Sequence, residues 1–174
     1  ALVARIRGSV LLIAPLVARA GRAAVGEPGG DFPGRRSVST HYRALAALGA
    51  FPETPGGRVL AAPEGLRGAS FYLDEASVTA TENAIMAAVL AEGATVIQNA
   101  ASAPHVQDLC AMLNAMGARI AGIGSNILTI RGVAGLSGTD FTISTDFMEV
   151  GSLIGLAAVT GSELEIVDAA PRFL

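Results

Sequence analysis

Lysine and tryptophan are missing from this chain of 174 residues, and cysteine occurs once. Without lysine there is no Walker-type phosphate loop, so any phosphate must be held by arginine or by free N–H groups at helix starts. The lone cysteine, Cys110, excludes an internal disulfide and a cysteine-cluster metal site, and it fits a reducing, cytoplasmic setting. Charged residues make up only 16% of the chain and the net charge is −3. That leaves no basic face for nucleic acid and no acidic disordered tail. Aromatic residues are scarce at 5%, whereas glycine numbers 21. A core of small and aliphatic side chains follows, one in which helices and sheets approach closely. The longest apolar run, Val10 to Val17, is too short to span a bilayer, so no membrane partner is expected. Flanked by Arg5, Arg7 and the Ala18-Arg-Ala20 triplet, it mimics a signal peptide, but it is read here as a buried helix. No initiator Met is present and the chain opens in mid-pattern, as if cut from something longer.

What is present is enough apolar material, 51%, for one domain or two small packed units. Residues 8–20 read as a helix that either kinks at Pro15 or starts near it, with Gly21 as its cap. A short strand over 23–27 leads into a loop. Ser39 or Thr40 caps a helix running to Leu48, with Tyr42, Leu45 and Leu48 on one face and Gly49 ending it. A hairpin follows over 51–62 with a Pro-Gly-Gly turn at 55–57, then a strand over 70–73. The strongest helix pattern begins at Ser77 or Thr79 and is stopped by Gly93. Beyond it the pattern gives a strand over 94–99, a helix from Pro104 to Met116, and strands over 118–123 and 127–131. A strand over 140–144, a helix over 146–159 and a strand over 163–167 complete the reading.

The order repeats itself. Leu48-Gly-Ala50 opens a hairpin and Leu66-Arg-Gly68 precedes a strand; Met116-Gly-Ala118 and Leu136-Ser-Gly138 do the same further on. The repeated unit is roughly βαβαββ, which predicts an α/β (α+β) fold with helices gathered on one side of the sheets.

No nucleophile–base constellation is visible. His41 and His105 each stand near a helix start and suit capping or packing as well as catalysis. Gly122-Ile-Gly124-Ser lacks the third glycine and the following helix of a dinucleotide site. The unusual stretch is 26–41, where glycines, prolines, Asp31 and the pair Arg35 and Arg36 separate two apolar runs. It is either a solvated turn or a loop that closes over an anion. Arg7, Arg35 and Arg36 lead the anion-binding candidates, with the Ser77-Val78-Thr79 helix start as a further one.

Together these stretches resemble the enolpyruvyl transferases, in the branch that acts on UDP-N-acetylglucosamine. The resemblance rests on Arg7-Gly-Ser, Pro28-Gly-Gly-x-x-x-Gly-x-Arg36, Ser77-Val-x-Ala-Thr-Glu-Asn83, Ala91-Glu-Gly93, Asn99-Ala-Ala101 and Asp146, and it covers nearly the whole chain. It implies an inside-out α/β barrel of βαβαββ units, helices inside and sheets outside. Residues 1–145 would form most of one domain, with 146–174 its end and the start of a crossing to a second. The implied substrates are phosphoenolpyruvate and UDP-N-acetylglucosamine, with no cofactor and no metal. Asp31 would be the catalytic proton donor at the loop tip. Arg36 would contact phosphate and nucleotide, and Arg7 the nucleotide. Ser37, Val38, Ser39 and Thr40 would hold the uracil through their backbone; Glu75, Ala76, Ser77 and Val78 would reach the diphosphate.

Several residues depart from the family pattern. Asp31 replaces the usual cysteine, Glu75 a usual base, Ser37 and Ser39 a Pro and an Asp, and Phe147 a common arginine. A diverged paralogue with another anionic sugar acceptor, or with a non-catalytic binding role, is therefore the alternative. Because the implied opposite wall of the cleft is not in this sequence, the chain alone is expected not to turn over, and self-association of its exposed face is plausible.

Overall fold

A computed structural model describes residues 3–26, 29, 37–54 and 59–171. The chain begins in two 3₁₀ turns, Val3–Arg5 and Arg7–Leu12, that run into helix α1, Ile13–Ala20. Pro15 falls in the first turn of α1, where its missing N–H leaves no helical bond unmade. The late start, not the kink, is thus the outcome. Gly21 ends the helix at φ +69° and bonds back to the Val17 carbonyl.

The sequence repeat is one chain path taken twice. Strand β1 (Arg22–Ala24), helix α2 (Ser39–Ala47) and strands β2 (Phe51–Pro52) and β3 (Val59–Ala61) form a sheet of order β1-β3-β2. Strand β4 (Ser70–Tyr72) then crosses through helix α3 (Val78–Ala88) to its parallel neighbour β5 (Ala94–Gln98). Helix α4 (Pro104–Ala115) and strands β6 (Arg119–Ala121) and β7 (Ile127–Arg131) complete a second sheet, β4-β5-β7-β6. In both sheets the strand before the helix pairs antiparallel with the second hairpin strand.

The repeat extends to single hydrogen bonds. The Leu48 carbonyl accepts from Arg67 N at 2.9 Å and that of Met116 from Ser137 N at 2.8 Å. Ala50 N and Ala118 N donate to Leu45 and Leu113, both at 2.9 Å. Gly49 and Gly117, at φ +96° and +102°, occupy the left-handed region that these helix-to-hairpin corners require.

Helix α3 is the centre. Helices α1, α2 and α4 all pack on it, and its Ala80, Ala84, Ala87 and Ala88 are buried. Side chains this small let three neighbours approach one helix. Leu45, Leu48, Ile85, Ile97, Leu128 and Ile130 fill the remaining core and are fully buried.

Four expectations need correction. The residue preceding the first turn of α2 is Val38, with no side-chain cap; Ser37 Oγ instead accepts from Ser39 N at 3.0 Å, and Thr40 is buried within the helix. The α3 helix ends at Ala88, not Gly93; Gly93, at φ +95°, offers its carbonyl to Gly132 N at 2.9 Å. Residues 140–144 and 163–167 form no strand. A strand needs a neighbour for its N–H and C=O groups, and no described strand lies beside either segment. The Pro-Gly-Gly turn lies outside the described residues.

Helix α5 (Phe147–Thr160) is capped by the Asp146 carboxylate, which accepts from Met148 N and Glu149 N at 2.9 and 3.3 Å. Its only buried residue is Val150, while Met148, Ile154, Leu156 and Val159 are exposed.

Close backbone contact leaves no room for a side chain at Gly68, Gly122 and Gly132, and it is tightest at Gly132. A Cβ on Gly132 would sit 1.6 Å from the Ala91 carbonyl oxygen, whereas one on Gly151 meets open space. Gly132→Ala should therefore destabilise the protein by about 2 kcal/mol or more, read by urea unfolding. Gly151→Ala, on the exposed side of α5, should stabilise it by about 0.5 kcal/mol or more. Equal effects would refute the close approach.

Candidate functional site

Three chain segments that start helices converge on an open cleft of about 750 Å³. The 3₁₀ turn contributes Arg7, the entry to α2 contributes Ser37, Ser39, Thr40 and His41, and the β4–α3 connection contributes Asp74 to Thr79. The sequence-derived candidates Arg7, Ser37, Ser39, Thr40, Glu75, Ala76, Ser77 and Val78 therefore share one cavity wall. Val38 does not line it; its side chain packs against the core. Asp31, Arg35 and Arg36 lie outside the described residues.

The wall is held from beneath by Asn83, which is fully buried on α3. Its Nδ2 donates to the Val10 carbonyl at 3.1 Å and to His41 Nδ1 at 2.8 Å, and its Oδ1 accepts from Ala14 N at 3.3 Å. One side chain thus links the turn bearing Arg7, the start of α1 and the start of α2 to α3. His41 Nε2 lies 3.2 Å from Thr79 Oγ1. Burial, reinforced by the positive charge of Arg7, lowers the His41 pKa to about 4. The ring is neutral at pH 7.

The rim is polar and mixed in charge. Ser77 caps α3, its Oγ accepting from Ala80 N at 3.4 Å, so this cleft residue already has a structural bond. Thr40 Oγ1 donates to Glu75 at 3.4 Å, and Arg43 pairs with Asp74. The first-turn N–H groups of α3 face the same region and favour an anion, while Glu75 and Asp74 oppose one.

Asp74, His41 and Asn83 were not among the sequence-derived site residues, and Thr79 entered only through the N–H groups of the 77–79 helix start, not through its hydroxyl. Asn83 stood in the Ala-Thr-Glu-Asn motif, but nothing local says that its amide reaches residues 69 and 73 positions earlier. His105 stacks on Phe147 with centroids 5.9 Å apart, beside α4 and away from the cleft wall. Burial raises the carboxyl pKa of Glu82 against the opposing pull of His105. Burial also pushes the Cys110 thiol up to about 11, which makes it a core side chain and not a nucleophile. Among the described residues no group of three or more His, Cys, Asp or Glu side chains could hold a metal ion, and no helix is long and apolar enough to cross a membrane.

The repeated αβαββ path, preceded by β4 in its second occurrence, with a cleft at its helix starts, defines a class. An enolpyruvyl transferase from Streptomyces tendae, NikO, superposes with a TM-score of 0.72 at 25% identity, over 88% of this chain and 37% of its own. An EPSP synthase from Acinetobacter baumannii shares the fold, with a TM-score of 0.63 at 22% identity over 87% of this chain and 34% of its own. The EPSP synthase (3-phosphoshikimate 1-carboxyvinyltransferase) family model matches residues 1–174, and the chain belongs to that family.

Within it, the sequence is similar to proteins called UDP-N-acetylglucosamine 1-carboxyvinyltransferase. That of Treponema denticola is 58% identical over 98% of this chain and 40% of its own length. That of Borreliella burgdorferi is 60% identical over 96% of this chain and 39% of its own. That of Bradyrhizobium diazoefficiens is 53% identical over 98% and 39%. The chain thus spans about 40% of the length of the curated relatives it matches.

Neutral burial of His41 has a pH signature. Its folded pKa lies below the unfolded value of 6.5, so as pH falls the unfolded chain takes up a proton before the folded one. Stability is full above pH 6.5 and is lost progressively down to about pH 4. Between pH 7 and pH 5 the wild type should lose about 2 kcal/mol more than His41→Gln, measured by urea unfolding at each pH. Parallel curves would rule this out.

Proposed function

We propose that the protein containing this chain transfers the enolpyruvyl group of phosphoenolpyruvate to the 3-hydroxyl of UDP-N-acetylglucosamine, with release of phosphate. This is the first committed step of peptidoglycan synthesis. The observation that carries the reading is the convergence of Arg7, Ser37, Ser39, Thr40 and Glu75 to Val78 on one cleft. These residues were assigned from motifs 30 to 70 positions apart in a family where relatives with that activity in their name are about 60% identical.

In this reading Arg36 contacts phosphate and nucleotide, and Arg7 the nucleotide. The backbone of 37–40 takes the uracil and the start of α3 the diphosphate. Asp31, as a protonated carboxyl, delivers a proton to the methylene carbon of phosphoenolpyruvate while the sugar hydroxyl oxygen bonds to the adjacent carbon and gives its own proton to a general base of the full-length protein. The tetrahedral adduct then loses a methyl proton and its phosphate, which restores the double bond. No metal or cofactor is required of the residues assigned.

We extend the same reading to architecture. The two sheets and their helices belong to an inside-out barrel, residues 1–145 forming most of one domain and 146–174 its end and the crossing to a second. A helix as apolar on all sides as α5 supports this, since such helices are normally buried. Alone, the chain is assigned no turnover, and its exposed α5 face favours self-association. A cytoplasmic location fits the buried free thiol of Cys110.

Glu75 beside Asp74 favours a second reading, a paralogue whose acceptor is less anionic than a nucleoside diphosphate. Phosphate release by the full-length protein separates the two. Release from phosphoenolpyruvate that depends on UDP-N-acetylglucosamine supports the first; release only with another acceptor supports the second.

In that assay Asp31→Ala should lower kcat by about 100-fold or more. Asp31→Cys should retain activity and gain irreversible inactivation by an epoxide, which a thiolate opens and a carboxylate does not. Full activity of Asp31→Ala would remove Asp31 from the mechanism.

A further inference from the structure

We propose that Thr79 is a further substrate-contacting residue, its hydroxyl proton aimed at a phosphate oxygen of the bound nucleotide by Asn83 and His41, which act as positioning residues. The inference rests on the nucleotide-binding reading above and adds to it a donor that the motif assignment did not contain.

The direction of the proton follows from backbone groups that have no choice. Ala14 N–H stands in the first turn of α1 and is a donor only, so it must meet the Asn83 carbonyl oxygen, 3.3 Å away. The Val10 carbonyl is an acceptor only, so it must meet the Asn83 amide nitrogen, 3.1 Å away. These two contacts fix the amide without reference to the imidazole. Its remaining N–H points at His41 Nδ1 at 2.8 Å, which makes Nδ1 an acceptor. A neutral ring with a bare Nδ1 carries its proton on Nε2. That proton is donated to Thr79 Oγ1 at 3.2 Å.

A hydroxyl that accepts on one side still has one proton to give. The Thr79 proton is turned away from His41, and Thr79 lines the cleft beside Ser77 and Val78. Asn83 and His41 are 0% and 3% exposed, so water does not compete for the relay behind the hydroxyl. The relay therefore ends in an oriented donor on the wall assigned to the diphosphate. An oriented hydroxyl suits an anionic oxygen, and it offers nothing particular to an uncharged nucleoside.

The test is an NMR titration of the full-length protein with UDP-N-acetylglucosamine, UDP and uridine. Thr79→Val keeps the shape and removes the donor, and should weaken both diphosphates about tenfold or more while leaving uridine unchanged. Thr79→Ser should bind nearly as the wild type. Nitrogen-15 spectra of wild-type His41 should show the proton on Nε2 and none on Nδ1. Asn83→Asp replaces the donor with an acceptor and forces the proton onto Nδ1, so it should reproduce the Thr79→Val loss with Thr79 intact. If that variant does not fold, the wild-type spectrum decides the relay. Unchanged diphosphate binding in Thr79→Val, an equal loss for uridine, or a protonated Nδ1 would each overturn the proposal. A wild-type protein that binds no UDP compound would overturn the functional reading and this inference with it. A wild type that binds, with Thr79→Val binding equally, would sink this inference alone.

Discussion

The arrangement depends most on a buried amide. Asn83 sits at the middle of the central helix with no exposure, where an unpaired amide would cost several kcal/mol. It avoids that cost by bonding to Val10, Ala14 and His41 at once. These partners lie on the segments that carry the cleft. Satisfying Asn83 and shaping the site are one requirement: if any of the three segments moves, a buried polar group loses its partner, at a cost of about 1–3 kcal/mol.

Around that amide the chain uses small residues to bring large elements close. Alanines on α3 admit α1, α2 and α4. Gly68 and Gly132 let strand ends pass against carbonyls, where a Cβ would lie 2.3 Å from Ala94 O and 1.6 Å from Ala91 O. Thr81 does the same with polarity. Its hydroxyl donates to the Ser77 carbonyl at 2.8 Å and accepts from Ala101 N at 3.0 Å, which ties the start of α3 to the loop after β5. The scarcity of aromatics in the sequence is the compositional side of this close packing.

The repeat was legible because its markers are local. Gly49 and Gly117 end helices at positive φ wherever they occur, and Leu-Gly-Ala or Met-Gly-Ala announces the corner that follows. Helix and strand order followed from periodicity up to residue 131. The strand assignments at 140–144 and 163–167 failed because alternation describes a side-chain pattern, whereas a strand is made by its neighbour. Ser39 and Thr40 misled as caps for a related reason. Either hydroxyl can cap, but Thr40 is drawn into the core wall and Ser37 takes the bonding role instead.

The sequence by itself determined the fold class, the repeated unit, the exclusion of lysine-based phosphate loops and most of the residues that line the cleft. Motifs and composition are short-range properties, and these conclusions needed nothing longer. Only the tertiary structure decided that those motifs share one cavity, that His41 is buried between Asn83 and Thr79, and that Asn83 holds the site from beneath. Those facts rest on contacts between residues as much as 73 positions apart. A hydrogen bond has a direction only when both of its partners are in place.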